Sequence, residues 1–274
     1  MKKFVCKNHQ IIEEKNAQIS IAERAFLFGD GIFETCRIAQ GKIYNFQGHE
    51  DRIKEGLKAL KFQADISDLE KKSLQLISKN NLKNGILRIS ISRGIGSIGY
   101  LPTYQSKALI VIQTSKPRKV AGKISLGIST IKKPPRNSLP IQHKTMQALV
   151  YTLNKISAQE QNLFDCVMLN QKNFISETSA SNIFWVKNDT IFTPSDTCDI
   201  LLGTIRAKLI ANKNFKIKKV AAKISELKKA DEIFLTNTAF LALSVDQFLG
   251  RNLTKKVGES VLKWLKKDVK ISCS

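Results

Sequence analysis

Apolar residues in this chain recur with two different periods, and this limits the fold to one that mixes strands and helices. Residues 31–46 (GIFETCRIAQGKIYNF) hold two partly alternating apolar runs around residues 39–41, a pattern typical of a β-hairpin. In the segment that follows, Ile53, Leu57 and Leu60 recur at i, i+4 and i+7, which is the spacing of an amphipathic helix. We therefore predict an α+β fold.

The first part of the chain is predicted to form a small α+β domain. After the hairpin and its helix we expect one more helix and two strands, over residues 67–79 (capped by Ser67), 85–93 and 108–114. Residues 115–123 (SKPRKVAGK) combine proline, glycine and charge with little periodicity, which is typical of a linker. We place a boundary there, between a small N-terminal domain over 1–115 and a larger C-terminal α/β domain over 116–274.

The C-terminal domain is predicted to alternate between strands and helices. A strand over 123–130 is followed by a proline-bound, non-helical loop over 132–140. Apolar residues then recur at helical spacing, which puts Lys144 at or just before a helix N-terminus: Met146, Leu149, Val150, Leu153 and Ile156. The remaining predicted elements are strands over 164–170, 173–177, 181–186 and 189–194, a helix over 203–211, strands over 214–220 and 232–237, and a terminal amphipathic helix over 257–269.

Composition excludes several classes of protein. The chain of 274 residues is 42% apolar and 25% charged, which is ordinary for a globular protein. No apolar run approaches the roughly 20 residues that cross a bilayer. The N-terminal stretch MKKFVCKNHQ lacks the apolar segment of a secretory signal, so we expect a cytoplasmic protein. Five scattered cysteines, without a C-x-x-C pair and with only three histidines, argue against a structural metal site or a disulfide framework.

The formal charge of +22, from 45 Lys and Arg against 23 Asp and Glu, is the unusual feature of the composition. The lysines recur in pairs along the whole chain, such as Lys71 with Lys72 and Lys132 with Lys133. A nucleic-acid binder gathers its charge into stripes interleaved with aromatic residues. We therefore expect a solvated, lysine-rich surface that suits a small anionic substrate, with no specific nucleic acid and no membrane as partner.

Five motifs, in this order, carry a family resemblance: RAFLFGDGIFETCRI (24–38), HEDRI (49–53), HKTMQAL (143–149), ISETSASNIFWV (175–186) and LLGTIR (201–206). Together they resemble the fold-type-IV pyridoxal-phosphate enzymes, which include the branched-chain and D-amino-acid aminotransferases and aminodeoxychorismate lyase. The resemblance implies the two-domain fold of the D-amino-acid aminotransferase-like enzymes and pyridoxal 5′-phosphate as cofactor. It also implies a homodimer in which the neighbouring subunit borders each active site.

The resemblance assigns the two residues that act on the cofactor ring. Lys144 matches the Schiff-base lysine of the family, which is also the group that moves the proton from the substrate carbon. Such a lysine must lose its own proton in an apolar or cationic setting before it attacks a carbonyl. Glu177 matches the family's carboxylate beside the ring nitrogen. The cofactor acts as an electron sink only while that nitrogen is protonated.

The resemblance also assigns the groups that bind the cofactor phosphate. Gly203, Thr204 and Ile205 open a predicted helix and match the family's phosphate loop, in keeping with the affinity of helix N-termini for anions. By the same resemblance, Arg52 and Thr238 are further phosphate ligands. Taken without the family, an ordinary helix-surface ion pair for Arg52 and an ordinary loop hydroxyl for Thr238 are the competing interpretations.

The substrate pocket distinguishes members of the family. D-amino-acid aminotransferases carry a tyrosine near Phe33, and an arginine and a histidine where this chain has Ile98 and Tyr100. Branched-chain aminotransferases tend to have Gly and Asn-Tyr after the lysine, unlike KTMQAL. Gln147 stands where many members of the family, lyases included, have an asparagine. The stretch SRGIGSIGY (92–100), the NIFWV strand and the short C-terminal end are similar to aminodeoxychorismate lyases, although Ile98 replaces an arginine common there.

We therefore expect an enzyme that converts 4-amino-4-deoxychorismate to 4-aminobenzoate and pyruvate, as in folate synthesis, with Phe33, Thr35 and Tyr100 as substrate-contacting candidates and no catalytic metal. Two alternatives remain open. The first is a class IV aminotransferase, of the D-amino-acid or branched-chain type, that uses 2-oxoglutarate. The second is a non-catalytic, basic nucleic-acid-binding protein that retains the fold.

Overall fold

The chain divides into two structural units in a computed structural model that describes residues 3–102, 107–117 and 120–273. The first unit comprises Met1–Arg118, His143–Gln147 and Val269–Ser274, and the second comprises Lys119–Gln142 and Ala148–Asp268. Lys144 thus belongs to the first unit, whereas the sequence pattern assigned it to a C-terminal domain. A five-residue segment without helical or alternating periodicity has no sequence signal that reveals which core it joins. Residues 118 and 119 of the expected linker lie outside the described residues.

The first unit is built on an antiparallel sheet in the order β2-β1-β6-β5-β3-β4. Its elements are β1 (Phe4–Lys7), β2 (Gln10–Glu13), α1 (Arg24–Phe28), β3 (Gly31–Ala39), β4 (Lys42–Ile43), α2 (Phe46–Ala59), α3 (Leu69–Lys79), β5 (Gly85–Ser92) and β6 (Leu109–Ser115). Helices α2 and α3 cover one face of this sheet. The core they share with it includes Ile38, Ile53, Leu76, Leu87 and Ile89.

The second unit holds two sheets, in the orders β11-β10-β9-β12-β13 and β15-β14-β7-β8. Its elements are β7 (Ser125–Ile128), α4 (Leu149–Glu160), β8 (Asp165–Val167), β9 (Asn182–Lys187), β10 (Thr190–Pro194), α5 (Thr204–Ala211), β11 (Ile217–Val220), α6 (Ile224–Lys228), β12 (Glu232–Asn237), β13 (Leu241–Ser244), β14 (Gln247–Phe248), β15 (Arg251–Asn252) and α7 (Lys256–Cys273). Residues of both sheets meet in one core, which includes Leu126, Ile183, Trp185, Ile233 and Phe248.

The α+β class and the predicted hairpin are confirmed. Strands β3 and β4 pair through Ile38 with Ile43 and are joined by Gln40 and Gly41. Both joining residues have positive φ, 52° and 80°. Two residues with positive φ form the turn whose twist matches that of the strands it connects.

Two element predictions were wrong in detail. Ser67 is not a helix cap: α3 begins at Leu69 after Asp68, and the Ser67 hydroxyl instead donates to Asp65. Residues 173–177 form no regular strand, and bridges join Ile175 to Leu169 and Glu177 to Asn182. Short apolar runs satisfy several local structures, so the neighbours along the sheet decide between them.

The helix after Lys144 also differs from its prediction. It begins at Leu149, five residues after the lysine. Its apolar positions Leu149, Leu153 and Ile156 are exposed, with 69%, 46% and 48% of their surface accessible. The buried face instead carries Asn154, whose amide donates to the carbonyl of Cys166 at 3.0 Å. Helical spacing correctly indicated a helix, but it did not identify the face that packs against this unit.

The five cysteines lie in the interior of the protein, and all of them are free thiols. Across the described residues, no group of three or more His, Cys, Asp and Glu side chains has a metal-binding arrangement. No helix in the described ranges is long and apolar enough to cross a membrane.

Candidate active site

Lys144 lies on a short segment that runs beside the start of β3. The Phe33 N–H donates to the Lys144 carbonyl at 2.8 Å, and the Met146 N–H donates to the Gly31 carbonyl at 2.9 Å. A Cβ at position 31 would lie 2.7 Å from the Ile91 carbonyl oxygen and 2.9 Å from the Met146 sulfur. Gly31, the second glycine of the FGDGIFE motif, is therefore required for the segment that carries Lys144 to approach the sheet.

The side chain of Lys144 is half-buried against an aromatic ring. Its Nζ lies 4.5 Å from the centroid of Phe33, and the Arg88 guanidinium lies 3.9 Å from the same centroid. Thr35, two residues along β3, is half-buried on the same face of the strand as Phe33. An amine beside an aromatic ring that a second cation also contacts is in the type of setting that nucleophilic lysines occupy.

Arg52, on α2, is held by a buried carboxylate on β3. Its Nε and Nη2 donate to the two oxygens of Glu34, each at 2.6 Å, and His49 Nδ1 lies 2.7 Å from Glu34 Oε2. Burial alone would raise the pKa of Glu34, but the charge of Arg52 and the hydrogen bonds from both partners lower it to about 2. Glu34 is therefore ionised and fixes the plane of the Arg52 guanidinium.

Glu177, in the second unit, is a buried carboxylate surrounded by donors. Oε2 accepts from the Leu201 N–H at 3.0 Å and from Asn182 Nδ2 at 3.3 Å. Oε1 accepts from Lys133 Nζ at 2.6 Å and from the Tyr151 hydroxyl at 3.3 Å. Burial first, and then the charge of Glu177, raise the pKa of Tyr151 above its ordinary value, so the hydroxyl stays neutral and donates.

The N-terminus of α5 lies on the same loop as Leu201. Gly203 is the N-cap and supplies no side-chain hydrogen bond, so the first N–H groups of the helix remain for another acceptor. Thr204 Oγ1 is buried and has no hydrogen-bond partner among the described residues. A Cβ at Gly203 would lie 2.0 Å from Asn182 Oδ1. An N-terminus with an unpartnered buried hydroxyl is suited to binding an anion.

Thr238 follows β12 and is 9% exposed. The turn that carries it is closed by Asn237, whose Oδ1 accepts from the N–H groups of Ala239 and Phe240 at 2.9 and 3.0 Å. Thr236, on β12, also has a buried hydroxyl without a partner in the part of the chain described. The C-terminal end of β12 and the turn after it therefore carry buried hydroxyls in the same unit as α5.

The SRG stretch after β5 is anchored by local contacts. Ser92 donates to Glu23 Oε1 at 2.6 Å, and the Gly94 N–H donates to the same oxygen at 3.2 Å. Gly94 has φ +99°, and a Cβ there would lie 1.9 Å from the Lys107 carbonyl oxygen. Gly94 is therefore required by the backbone course of this loop, and Ser92 anchors the loop to Glu23.

The loop that follows is held by Arg24 and projects its side chains outward. Arg24, 3% exposed, pairs with Asp30 at 2.9 Å and donates to the carbonyls of Gly99 and Tyr100, each at 2.9 Å. Ile98 and Tyr100 are 87% and 88% exposed. Tyr100 contacts Phe28, with ring centroids 5.6 Å apart. Its side chain is therefore exposed at the surface, whereas those of Phe33 and Lys144 are half-buried.

The predicted site residues are divided between the units. Phe33, Thr35, Arg52, Tyr100 and Lys144 belong to the first, while Glu177, Thr204, Ile205 and Thr238 belong to the second. Sequence reasoning missed the groups that hold these residues: Arg24, Glu34, His49, Lys133 and Tyr151. Lys133 was expected on the solvated surface with Lys132, but it is fully buried. A lysine pair after a strand has no local signal that separates the buried member from the exposed one.

A lysine against an aromatic ring, a buried carboxylate and a helix N-terminus with a free hydroxyl are the groups that a pyridoxal phosphate enzyme requires. The chain matches the model of the amino-transferase class IV family over residues 31–248, and it belongs to that family. This confirms the resemblance to the fold-type-IV enzymes. Family membership supports pyridoxal phosphate as the cofactor, and the buried Thr204 hydroxyl and the Glu177 carboxylate fit its phosphate and its ring nitrogen.

The relatives include enzymes of two reaction types. The chain is 28% identical over 270 residues to the putative branched-chain-amino-acid aminotransferase of Methanocaldococcus jannaschii, covering 96% of this chain and 94% of the relative. It is 27% identical over 279 residues to the aminodeoxychorismate lyase of Bacillus subtilis, with the same coverage of 96% and 94%. The branched-chain amino acid aminotransferase from Escherichia coli has the same fold, with a TM-score of 0.92 at 20% identity, covering 100% of this chain and 96% of that one.

Proposed function

We propose that this protein is a pyridoxal-phosphate-dependent 4-amino-4-deoxychorismate lyase, which releases 4-aminobenzoate and pyruvate. The observation that carries the proposal is the SRGIGSIGY loop, which is similar to that of the lyases. Contacts from Glu23 and Arg24 hold this loop. It has no cationic side chain between Gly94 and Tyr100, so it lacks the arginine and histidine of the D-amino-acid aminotransferases and also the arginine that is common in the lyases. The similarity to the Bacillus subtilis lyase over 96% of the chain supports the same function.

In this proposal, the residues of the chain bind the cofactor and move one proton. Arg52, Thr204, Ile205 and Thr238 bind the phosphate. The bound cofactor supplies an electron sink for the pair left behind when the substrate carbon loses its proton. Lys144 attaches the cofactor and then takes the proton from the amine-bearing carbon of the substrate.

The remaining bond changes follow from the substrate. Loss of that proton is followed by cleavage of the C–O bond to the enolpyruvyl group, and the ring becomes aromatic as 4-aminobenzoate. The departing enolpyruvate takes up one proton to become pyruvate, so atoms and charge balance. Phe33, Thr35 and Tyr100 are the proposed substrate contacts, and Glu177 keeps the ring nitrogen of the cofactor protonated.

The first test supplies aminodeoxychorismate, made in situ from chorismate and an amine source by its synthase. Both 4-aminobenzoate and pyruvate are followed with wild-type protein and with Lys144→Ala. We expect equal amounts of the two products from wild type and neither from the variant. Absence of both products from cofactor-loaded wild type would reject the lyase.

The second candidate is a class IV aminotransferase, and the similarity to the Methanocaldococcus jannaschii relative supports it. Its test is a screen of D- and L-amino donors against 2-oxoglutarate, with glutamate as the measured product. Transfer that depends on Lys144, without release of 4-aminobenzoate, would establish this reaction instead.

We further propose that the protein acts as a cytoplasmic homodimer. The apolar stripe of α4, formed by Leu149, Leu153 and Ile156, is exposed in the single chain. Water-exposed apolar side chains at i, i+4 and i+7 are typical of a helix face that another protein surface covers. A second copy of this chain is the occupant we propose, since the family resemblance implies a dimer.

A further inference from the structure

Lys133 is a lysine with no exposed surface, and it lies in the loop after β7. Its Nζ donates to Glu177 Oε1 at 2.6 Å and also to the Tyr151 hydroxyl. Its backbone is held on both sides, because its N–H donates to the Leu169 carbonyl at 2.9 Å and its carbonyl accepts from Gln171 Nε2 at 3.0 Å. A buried lysine with a fixed backbone pays a large desolvation cost, so its contact with a carboxylate is a specific feature of the fold.

The surroundings of Glu177 show what Lys133 contributes. A carboxylate has about four acceptor positions, and Glu177 fills them with Lys133, Tyr151, Asn182 and the Leu201 N–H. Tyr151 is neutral, and the Asn182 and Leu201 donors are uncharged. Arg206 also interacts electrostatically with Glu177, but its guanidinium is paired with Asp196 at 2.8 Å. Lys133 is therefore the cation in direct contact with this carboxylate among the described residues.

We propose that Lys133 is a positioning residue that keeps Glu177 ionised and correctly oriented before the cofactor binds, so that binding requires no proton to leave Glu177. The inference rests on the proposed role of Glu177 beside the cofactor ring nitrogen. Of the four donors, the Tyr151 hydroxyl and Asn182 Nδ2 make the longest contacts, each at 3.3 Å, so one of these two is the donor that a protonated ring nitrogen would replace or share with.

The consequence of removing the ammonium follows from burial. A buried carboxyl group without a cation beside it takes up a proton, because the charged form is poorly solvated there. In Lys133→Met, Glu177 would then be a neutral acid before binding and would have to lose that proton to pair with a protonated ring. The final pair is the same as in wild type, so the variant releases about one more proton on binding than wild type does.

The test measures proton exchange with a ligand that forms no covalent bond to lysine. Calorimetric titration of the cofactor-free protein with 4-deoxypyridoxine 5′-phosphate, in buffers of different ionisation enthalpy, gives the protons released on binding. We expect Lys133→Met to release about one proton more than wild type. We also expect the ratio of its Kd to that of wild type to fall by up to about tenfold per pH unit as the pH rises.

Matched variants separate charge from shape. Lys133→Arg retains the cation and is expected to behave as wild type in proton exchange. Lys132→Met removes the neighbouring exposed lysine, which donates to Asn173, and is expected to change neither quantity. Lys133→Gln keeps a donor without the charge, and it is expected to reproduce the extra proton if the methionine variant does not fold.

The outcomes distinguish a failure of the role proposed for Lys133 from a failure of the role proposed for Glu177. If Lys133→Met and Lys133→Gln exchange the same number of protons as wild type, and the ratio of their Kd to that of wild type does not depend on pH, the role of Lys133 is refuted. The same holds if the extra proton persists when Lys133→Met is combined with Glu177→Gln. If instead Glu177→Gln alone binds with wild-type affinity and unchanged near-ultraviolet absorbance of the ligand, the proposed role of Glu177 fails, whatever Lys133 does.

Discussion

At the scale of single residues, the protein buries very few of its many cations and pairs each of them. Of the Lys and Arg side chains described, those that are buried are Arg24, Lys133 and Arg206, and they contact Asp30, Glu177 and Asp196. Unpaired burial of a charge costs several kcal/mol, so such a cation persists only where the fold supplies a carboxylate. All three pairs lie close to predicted cofactor or substrate segments in the sequence.

The Arg52–Glu34 pair predicts a specific dependence of stability on acid. The pKa of Glu34 is about 2 in the folded protein, against an ordinary value of 4.5. A carboxyl whose pKa is lowered by folding stabilises the protein fully above its unfolded pKa, and this is lost as the pH falls from about 5 to about 2. We expect the unfolding free energy of wild type to exceed that of Glu34→Gln by roughly 3 kcal/mol from pH 7 down to about pH 5, and by progressively less below about pH 5.

Denaturant unfolding of both proteins between pH 7 and pH 3 measures this difference. Glu160→Gln, at the exposed end of α4, is the control and is expected to track wild type. A gap between wild type and Glu34→Gln that stays constant over this range would show that Glu34 is not the titrating group.

At the scale of elements, the start of α5 combines backbone N–H groups with an unpartnered hydroxyl. Thr204→Val removes that hydroxyl and keeps nearly the same shape. Because Oγ1 has no partner among the described residues, the unfolding free energy of the cofactor-free protein should be unchanged or slightly higher. The affinity for pyridoxal phosphate should fall about tenfold, the value of one hydrogen bond to a charged group. Thermal unfolding and absorbance titration measure the two effects, and lower stability with unchanged affinity would contradict the phosphate role.

Gly203, the N-cap of α5, makes a close approach to Asn182. An added Cβ would lie 2.0 Å from Asn182 Oδ1, and this amide donates to the Leu201 carbonyl at 2.8 Å and to Glu177 at 3.3 Å. We expect Gly203→Ala to move Asn182 and to cost about 1 kcal/mol or more in the unfolding free energy. Gly99→Ala is the comparison, because among the described residues its Cβ would meet only the Ser97 hydroxyl, at 3.9 Å. Equal stabilities of the two variants in denaturant would rule out the clash.

At the scale of the whole molecule, the proposed dimer predicts that the α4 stripe is covered in solution. Leu153→Lys places a charge in the middle of this stripe, whereas Gln159→Lys places one on the same helix beside it. We expect light scattering to give a dimer for wild type and Gln159→Lys, and a shift toward monomer for Leu153→Lys. A monomeric wild type at micromolar concentration would contradict the proposal.

The net charge of +22 also belongs to this scale. Charge spread over a whole surface raises the local concentration of small anions, and the effect is screened by salt. Such a surface is compatible with a substrate that carries two carboxylates, but it does not select one substrate. We therefore propose that specificity depends on the residues around Phe33 and Lys144.

The sequence by itself determined the family, the α+β class and the approximate positions of most helices and strands. Periodicity is local, and a motif such as HKTMQAL or SETSASN keeps its residue types whatever lies next to it in space. The hairpin at Gln40 and Gly41 is an example, because the two turn residues lie beside the strands they join.

Only the tertiary structure decided which groups face one another. Lys144 joins the first unit rather than the C-terminal one, and α4 packs through Asn154 rather than through its leucines. Lys133 looks like its neighbour Lys132 in the sequence, yet it is the one that contacts Glu177. The physical reason is that burial and ion pairing depend on residues tens of positions away, so no local pattern identifies the buried member of the pair.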